Sequence, residues 1–114
     1  MVESPDNTES WLQNAVATVG PVTIVFSVVQ SFYSYSNGIY YDRDCSLSSP
    51  NYVGGLGVVV VGYGTDPTVG AFGKYWICRN SWGTGWAQLG GYFKMARNRG
   101  NHCGLATYAT YPVV

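Results

Sequence analysis

Few side chains in this 114-residue sequence are able to do chemistry. Nucleophilic and metal chemistry draws mainly on thiol, imidazole and amide groups, and here these are three cysteines, one histidine and the segment around Asn80. Cys45 and Cys103 lie in loop-like contexts, whereas Cys78 lies in an apolar run and is predicted to be a buried, inert thiol. Cys45, His102 and Cys103 lack the paired C-x-x-C or H-x-x-x-H spacing of a zinc site, so we expect no metal.

The most distinctive stretch of the sequence covers residues 75–86. It predicts a strand that runs into a tight turn containing Gly83 and Gly85, and it holds three tryptophans, at positions 76, 82 and 86. An asparagine followed two positions later by tryptophan on such a turn is an unusual arrangement. We interpret the tryptophans as core and turn packing, and the alternative is a platform on which a ligand stacks.

Local patterns predict one helix followed by short strands. Asp6 and Glu9 are spaced like a capping box, and the apolar residues after them share one helical face until Gly20 and Pro21. Strands, separated by an aromatic link and a long loop over 42–55, are predicted at 22–29, 38–41, 57–63, 75–79, 90–97 and 107–113. Short strands with glycine turns at this density indicate a mainly β fold, an antiparallel barrel or sandwich.

Composition limits the partners that the chain can have. Six basic and six acidic residues give no net charge, so nothing favours nucleic acid or an anionic membrane. No run reaches the roughly 18 apolar residues of a membrane span, and the polar start does not predict a signal peptide. Only 11% of residues are charged and 46% are apolar, which is typical of a domain that packs against another surface.

Eight segments of the sequence carry a family resemblance. They are AVATVGPV at 15–22, QSF at 30–32, GIYY at 38–41, VVGYG at 60–64, NSWG at 80–83, YFKMAR at 92–97, NHCG at 101–104 and YP at 111–112. Together they closely resemble the C-terminal domain of papain-family, cathepsin L-like cysteine proteases. The resemblance implies an α+β, mainly β domain over residues 8–114, an antiparallel β-barrel with an N-terminal helix, preceded by a tail over residues 1–7.

The resemblance also implies roles for the residues of a catalytic triad. Asn80 matches the asparagine that orients the catalytic imidazole, and Trp82 matches the residue that shields their hydrogen bond from water. The catalytic histidine should precede the apolar run that ends in VGYG, but this sequence has Gly55, Leu56 and Gly57 there. Leu56 occupies the histidine position and has no proton to exchange. We therefore interpret Asn80 as inherited scaffold, with a newly acquired role as the alternative.

Two further features follow from the resemblance. Tyr108 falls where cathepsin L-like enzymes have a small residue in the main specificity pocket, so Gly55, Gly57 and Tyr108 mark a remnant of that pocket. If Tyr108 points inward, it partly fills the pocket. Cys45 and Cys103 match the positions of a family disulfide, which agrees with the lysosomal or secreted location that is usual for the family.

The remaining parts of the catalytic machinery do not occur in this sequence. In the family the catalytic cysteine and an oxyanion glutamine come from the N-terminal half, and no stretch of the C-G-S-C-W type occurs here. His102 is the only imidazole. It matches a family histidine outside the cleft, so we expect it to be structural and not a displaced general base.

These features predict an isolated, catalytically incomplete half of a papain-like endopeptidase. We expect it to act as a structural or interaction domain, as a homo-oligomer or bound to a complementary N-terminal half, without a cofactor. The alternative is a heavy-chain-like subunit of a cysteine protease whose partner chain supplies the cysteine. A third possibility is a binder of peptides or small molecules in the remnant cleft.

Overall fold

Helix α1 spans Glu9–Thr18 in a computed structural model that describes residues 2–3 (backbone only), 8–35, 37–46, 48–80 and 91–111. Its N-cap is Thr8, whose side chain accepts a hydrogen bond from the backbone N–H of Trp11 at 3.2 Å, so the predicted cap at Asp6 is wrong. The helix ends at Thr18 with Val19 as its C-cap, and Gly20 follows at φ +123°, which a residue with an L side chain rarely adopts. No described helix is long and apolar enough to cross a membrane.

Seven strands account for most of the regular structure in the described residues. They are β1 (Val2–Glu3), β2 (Val22–Val29), β3 (Ile39–Tyr40), β4 (Tyr52–Thr65), β5 (Lys74–Arg79), β6 (Tyr92–Ala96) and β7 (Tyr108–Tyr111). Short 3-10 turns lie at Gln30–Ser34, Gly70–Phe72 and His102–Gly104. Strand β1 falls within the stretch that the sequence assigned to a tail, and it pairs with β7 through Val2 and Glu3.

The strands form one sheet in the order β1-β7-β2-β4-β5-β6-β3. All neighbours are antiparallel except β3 and β6, which are parallel. The expected mainly β, α+β class is confirmed, but the sheet formed by the described strands is open, with β1 and β3 at its edges, where a closed antiparallel barrel was expected. Local patterns predict where a strand lies and leave its partner and direction undetermined, because those depend on contacts distant in sequence.

Strand β4 is longer than the sequence indicates. Its first residues were predicted as loop, but they pair with β2, and the pairing begins at Tyr52 opposite Val29. The register of this pairing shifts between Val28 and Val29. Glycines at 54, 55 and 57 weaken the strand signal because glycine has no side chain to pack. The neighbouring strand β2, a β-branched run predicted with its observed bounds, supplies the ladder that holds these glycines in extended conformation.

The core lies on one face of the sheet and under α1. Alternate residues of β2 are buried there, together with Leu12 and Ala15 from α1 and with Trp76 and Cys78 from β5. Aromatic rings add directed contacts, since Phe32 packs edge-on against both neighbouring phenylalanines, 26 and 93, at centroid distances of 5.2 and 5.1 Å. The alternation leaves the other face of β2 exposed, and that face matters for the site.

Candidate functional site

Leu56, which the family resemblance predicts at the position of the catalytic histidine, lies in β4 directly opposite Phe26 of β2. Phe26 is buried in the core, and Leu56 is partly buried and packs against the same cluster. An isobutyl side chain there adds apolar contact and offers no group that could accept or donate a proton. The structure therefore places this residue as a packing element at the end of the core.

Asn80 follows directly after β5 and is 4% exposed. Its backbone N–H donates to the carbonyl oxygen of Gly91 at 3.0 Å. The last β4–β5 pair joins Val59 to Arg79, and because the strands are antiparallel, Asn80 lies about level with Val58, two residues from Leu56. The two predicted triad positions thus lie at the same end of neighbouring strands. The predicted shield, Trp82, lies outside the described residues.

The three cysteines do not provide an accessible thiol. Cys45 and Cys103 form a disulfide, which confirms the predicted pairing. Cys78 is free and fully buried in β5, and burial raises the pKa of its thiol far above the ordinary value. Since the thiolate is the nucleophile in cysteine chemistry, none of these sulfur atoms is ready to attack a carbonyl.

His102 lies in a buried site beside the disulfide. Its Nε2 is 2.9 Å from the backbone nitrogen of Asp42, and its Nδ1 is 3.1 Å from the sulfur of Met95. The ring of Tyr41 stacks on the imidazole at 4.6 Å. Burial is the main reason that the pKa of His102 lies below its usual value. These contacts make His102 a packed, neutral side chain at pH 7.

The ligand atoms of Cys45, His102 and Cys103 lie within 4.8 Å of one another, as a metal site would require. However, the two sulfur atoms are bonded to each other, and a disulfide lacks the thiolate charge that holds zinc. This donor set therefore does not fit a metal ion.

The exposed face of β2, β4 and β7 forms what we call the open wall, made of Val25, Tyr52, Gly55, Gly57 and Tyr108. Val25 pairs with Gly57 on one side and with Tyr108 on the other, so the three form a row across the strands. Because Gly57 has no side chain, the row presents only the Val25 side chain and the Tyr108 ring to solvent. None of the five side chains is charged at neutral pH.

A groove of about 610 Å³ runs beside the open wall, lined among others by Val25, Ser27, Tyr52, Gly55, Cys103 and Tyr108. Two predicted pocket residues, Gly55 and Tyr108, therefore meet in one groove, while Gly57, Leu56 and Asn80 are not among its lining residues in the described part. The ring of Tyr108 is 69% exposed. It stands at the rim, so the expectation that an inward-pointing Tyr108 would fill the pocket does not apply.

A buried polar cluster at the start of α1 was missed by the sequence analysis. The carboxylate of Glu9 accepts hydrogen bonds from Trp76 Nε1 at 2.9 Å and from the backbone N–H groups of Asn98 and Asn101 at 2.8 and 2.9 Å. The only sequence signal was Glu9 itself, which was assigned to a capping box. Its real partners are 67 to 92 residues away in sequence, so no local pattern reveals them.

Arg97 forms a second anchor between α1 and the sheet. Its guanidinium donates to the side-chain oxygen of Gln13 at 2.7 Å and to the carbonyl oxygens of Gly64 and Tyr75 at 3.1 and 3.2 Å. It also lies over the ring of Tyr63, 5.0 Å from the centroid. Both buried charges near α1 are therefore held by several directed partners, as burial requires.

Comparisons with known proteins agree with this fold. Residues 1–113 match the family model described as papain family cysteine protease, and the chain belongs to that family. It is 48% identical over 114 residues to a cathepsin L-like protein of Caenorhabditis elegans, covering 99% of this chain and 32% of that protein. It is 47% identical over 107 residues to procathepsin L of Mus musculus, covering 93% of this chain and 30% of that protein.

A solved structure, that of digestive procathepsin L 3 from the larval midgut of Tenebrio molitor, superposes with a TM-score of 0.79 at 41% identity. The match covers 98% of this chain and 34% of that chain. The chain therefore spans about a third of the length of the relatives it matches.

Proposed function

We propose that this chain is a catalytically incomplete papain-family domain that acts as an interaction module. The observation that carries the proposal is that Leu56, which the family resemblance predicts at the histidine position, packs against the core opposite Phe26. Thiol catalysis needs a thiolate and an imidazole within hydrogen-bond reach of each other. In this chain the one imidazole is held by Asp42 and Met95, and the one free thiol is buried and protonated.

The open wall supports the second half of the proposal. It places Val25 and Tyr108 side by side on an uncharged face, and aromatic and aliphatic patches of this kind are typical of association sites. A second copy of the chain can meet this face without like-charge repulsion, since the face carries no charge. A complementary family half is the other partner that an apolar wall of this shape would accept. The disulfide supports an oxidising compartment, lysosomal or extracellular.

Hydrolysis assays test the catalytic half of the proposal. The chain alone should not cleave a dipeptidyl aminomethylcoumarin substrate above the buffer rate, with or without a thiol reductant. Alkylation with iodoacetamide serves as the control. Turnover that iodoacetamide abolishes would show that one of the three cysteines is catalytic after all and would overturn the proposal.

Sedimentation equilibrium over a wide concentration range tests the interaction half. We expect reversible self-association that Tyr108→Lys weakens by about tenfold or more, because large aromatic side chains dominate association energies. Tyr33→Lys is the matched control, since Tyr33 is an exposed tyrosine that does not line the groove. A monomer at every concentration, or equal loss of association in both variants, would contradict the assignment of the open wall.

A second candidate function is a heavy-chain-like protease subunit. It is favoured by Asn80, which remains buried at the end of β5, two residues in register from Leu56. The test is to mix this chain, or its Leu56→His variant, with the unmatched N-terminal part of mouse procathepsin L. Cleavage with the unaltered chain would establish the subunit function. Cleavage with the histidine variant alone would support the loss of catalysis at this position.

A further inference from the structure

Arg99 packs against two aromatic rings. Its guanidinium carbon is 3.5 Å from the ring centroid of Tyr41 and 4.0 Å from that of Phe72. Tyr41 also stacks on the buried imidazole of His102, with ring centroids 4.6 Å apart and ring planes at 26°. Two rings therefore contact the Arg99 guanidinium, and the stacking on His102 holds one of them in place. We call this arrangement the Arg99 clamp.

Arg99 differs from Arg97 in what its N–H groups do. Arg97 is buried and donates to four oxygen acceptors, whereas Arg99 makes no hydrogen bond or ion pair within the described part of the chain. Two rings contact its guanidinium, and its N–H donors have no acceptor among the described residues. A guanidinium presents its donors as a rigid planar fork, and here the fork is already oriented.

Two acidic side chains of the described residues, Asp42 and Asp66, do not use this fork. The carboxylate of Asp42 accepts from the Ser31 hydroxyl at 2.7 Å and from the backbone N–H of Asp44 at 2.9 Å. The carboxylate of Asp66 accepts from the backbone and side chain of Thr68 at 3.0 and 2.6 Å. Both side chains satisfy local turns, so neither of these two acids competes for the Arg99 guanidinium.

We propose that the Arg99 clamp binds a carboxylate side chain of an acidic peptide segment. A planar carboxylate accepts two parallel N–H bonds from an arginine fork. One guanidinium matches the single charge of a carboxylate, whereas a phosphate group usually needs several cationic donors. The rims of the clamp are exposed, 39% for Tyr41 and 57% for Phe72, and they offer apolar contact to the rest of a peptide. Arginine beside aromatic rings is also the composition typical of binding hot spots.

Titration followed by the NMR signals of the arginine Nε–H groups tests the proposal in the intact, oxidised chain. The probes are the capped tripeptide N-acetyl-Gly-Glu-Gly-amide and its Gln analogue, with sodium sulfate and inorganic phosphate as further arms. We expect a saturable shift of the Arg99 signal with the Glu peptide, and weaker effects from the other probes.

Variants separate binding from folding. Arg99→Lys should weaken binding of the Glu peptide about tenfold, because lysine keeps the charge and loses the bidentate fork. Phe72→Ala removes one wall and should also weaken binding. Arg43→Lys, an exposed arginine in the neighbouring turn, is the matched control and should bind as the unaltered chain does. Unchanged amide spectra in each variant establish that the fold is intact.

Three results would overturn the proposal. The first is a shift that grows without saturation or affects all arginines equally, since this indicates general screening. The second is equal binding of the Glu and Gln peptides, which removes the role of the carboxylate. The third is tighter binding of sulfate or phosphate than of the Glu peptide, which assigns the clamp to a tetrahedral anion.

Discussion

Around the start of α1, each buried charge meets several directed partners, whereas along the open wall the side chains are apolar or are glycine. Glu9 and Arg97 together accept or donate seven hydrogen bonds, with partners in α1, β4, β5 and the segment after β6. Val25 and Tyr108, by contrast, are exposed to solvent, so they need no polar partner within the protein. The difference shows where the domain is held together and where it is free to meet another surface.

The largest expected effect comes from the covalent link at the edge of the open wall. Replacing both Cys45 and Cys103 with serine should lower the free energy of unfolding by about 4 kcal/mol, since the bond closes a loop with a sequence separation of 58. Urea unfolding of the oxidised chain and of the double variant measures this. A reductant should destabilise only the unaltered chain, and equal stability of both proteins would contradict the prediction.

Removing the carboxylate at the helix side should have the next largest effect. Glu9→Ala leaves the indole of Trp76 and two backbone N–H groups without their acceptor, so we expect a loss of about 3 kcal/mol in the free energy of unfolding. Thermal and urea unfolding measure it. Ser10→Ala, at the exposed neighbouring position of the same helix, is the control and should change stability little. If both variants behave alike, the polar cluster is not an anchor.

Acidification should reveal a smaller effect at the buried imidazole. Because burial lowers the pKa of His102 in the folded state, protons bind more readily to the unfolded chain. Neutral His102 therefore makes its full contribution to the free energy of unfolding above pH about 6.5, which is the pKa of histidine in the unfolded chain. This contribution is lost as the pH falls through the lower pKa of His102 in the folded state. Unfolding free energies at a series of pH values measure the slope. His102→Gln should flatten it in this window, and an unchanged slope would assign it to other groups.

The smallest change in stability is expected on the open wall itself. Tyr108→Ala should alter the free energy of unfolding by no more than about 0.5 kcal/mol, because the ring is already mostly exposed. Phe93→Ala, at a buried ring, should cost about 3 to 5 kcal/mol and provides the contrast. A large loss from Tyr108→Ala would mean that the wall belongs to the stabilising core and would remove the distinction drawn between the two regions.

The elements with strong local signals were predicted well. The β-branched run of β2 and the amphipathic α1 have their expected positions, and the family motifs indicated both the fold class and the disulfide. The sequence did not predict strand β1, because two residues are too few to form a pattern. It also did not predict the first residues of β4 as strand, because their glycines weaken the strand pattern. Their conformation comes from hydrogen bonds to β7 and β2.

By itself, the sequence determined the family and the charge-poor composition, and it predicted a leucine at the histidine position, since each depends only on which residues are present and in what order. The tertiary structure decided that Leu56 packs beside Phe26 and that Glu9 holds segments distant in the chain. It also decided that Arg99 packs against two aromatic rings, while Arg97 donates hydrogen bonds to several acceptors. Such contacts join residues far apart in sequence, and only the folded chain brings them within bonding distance.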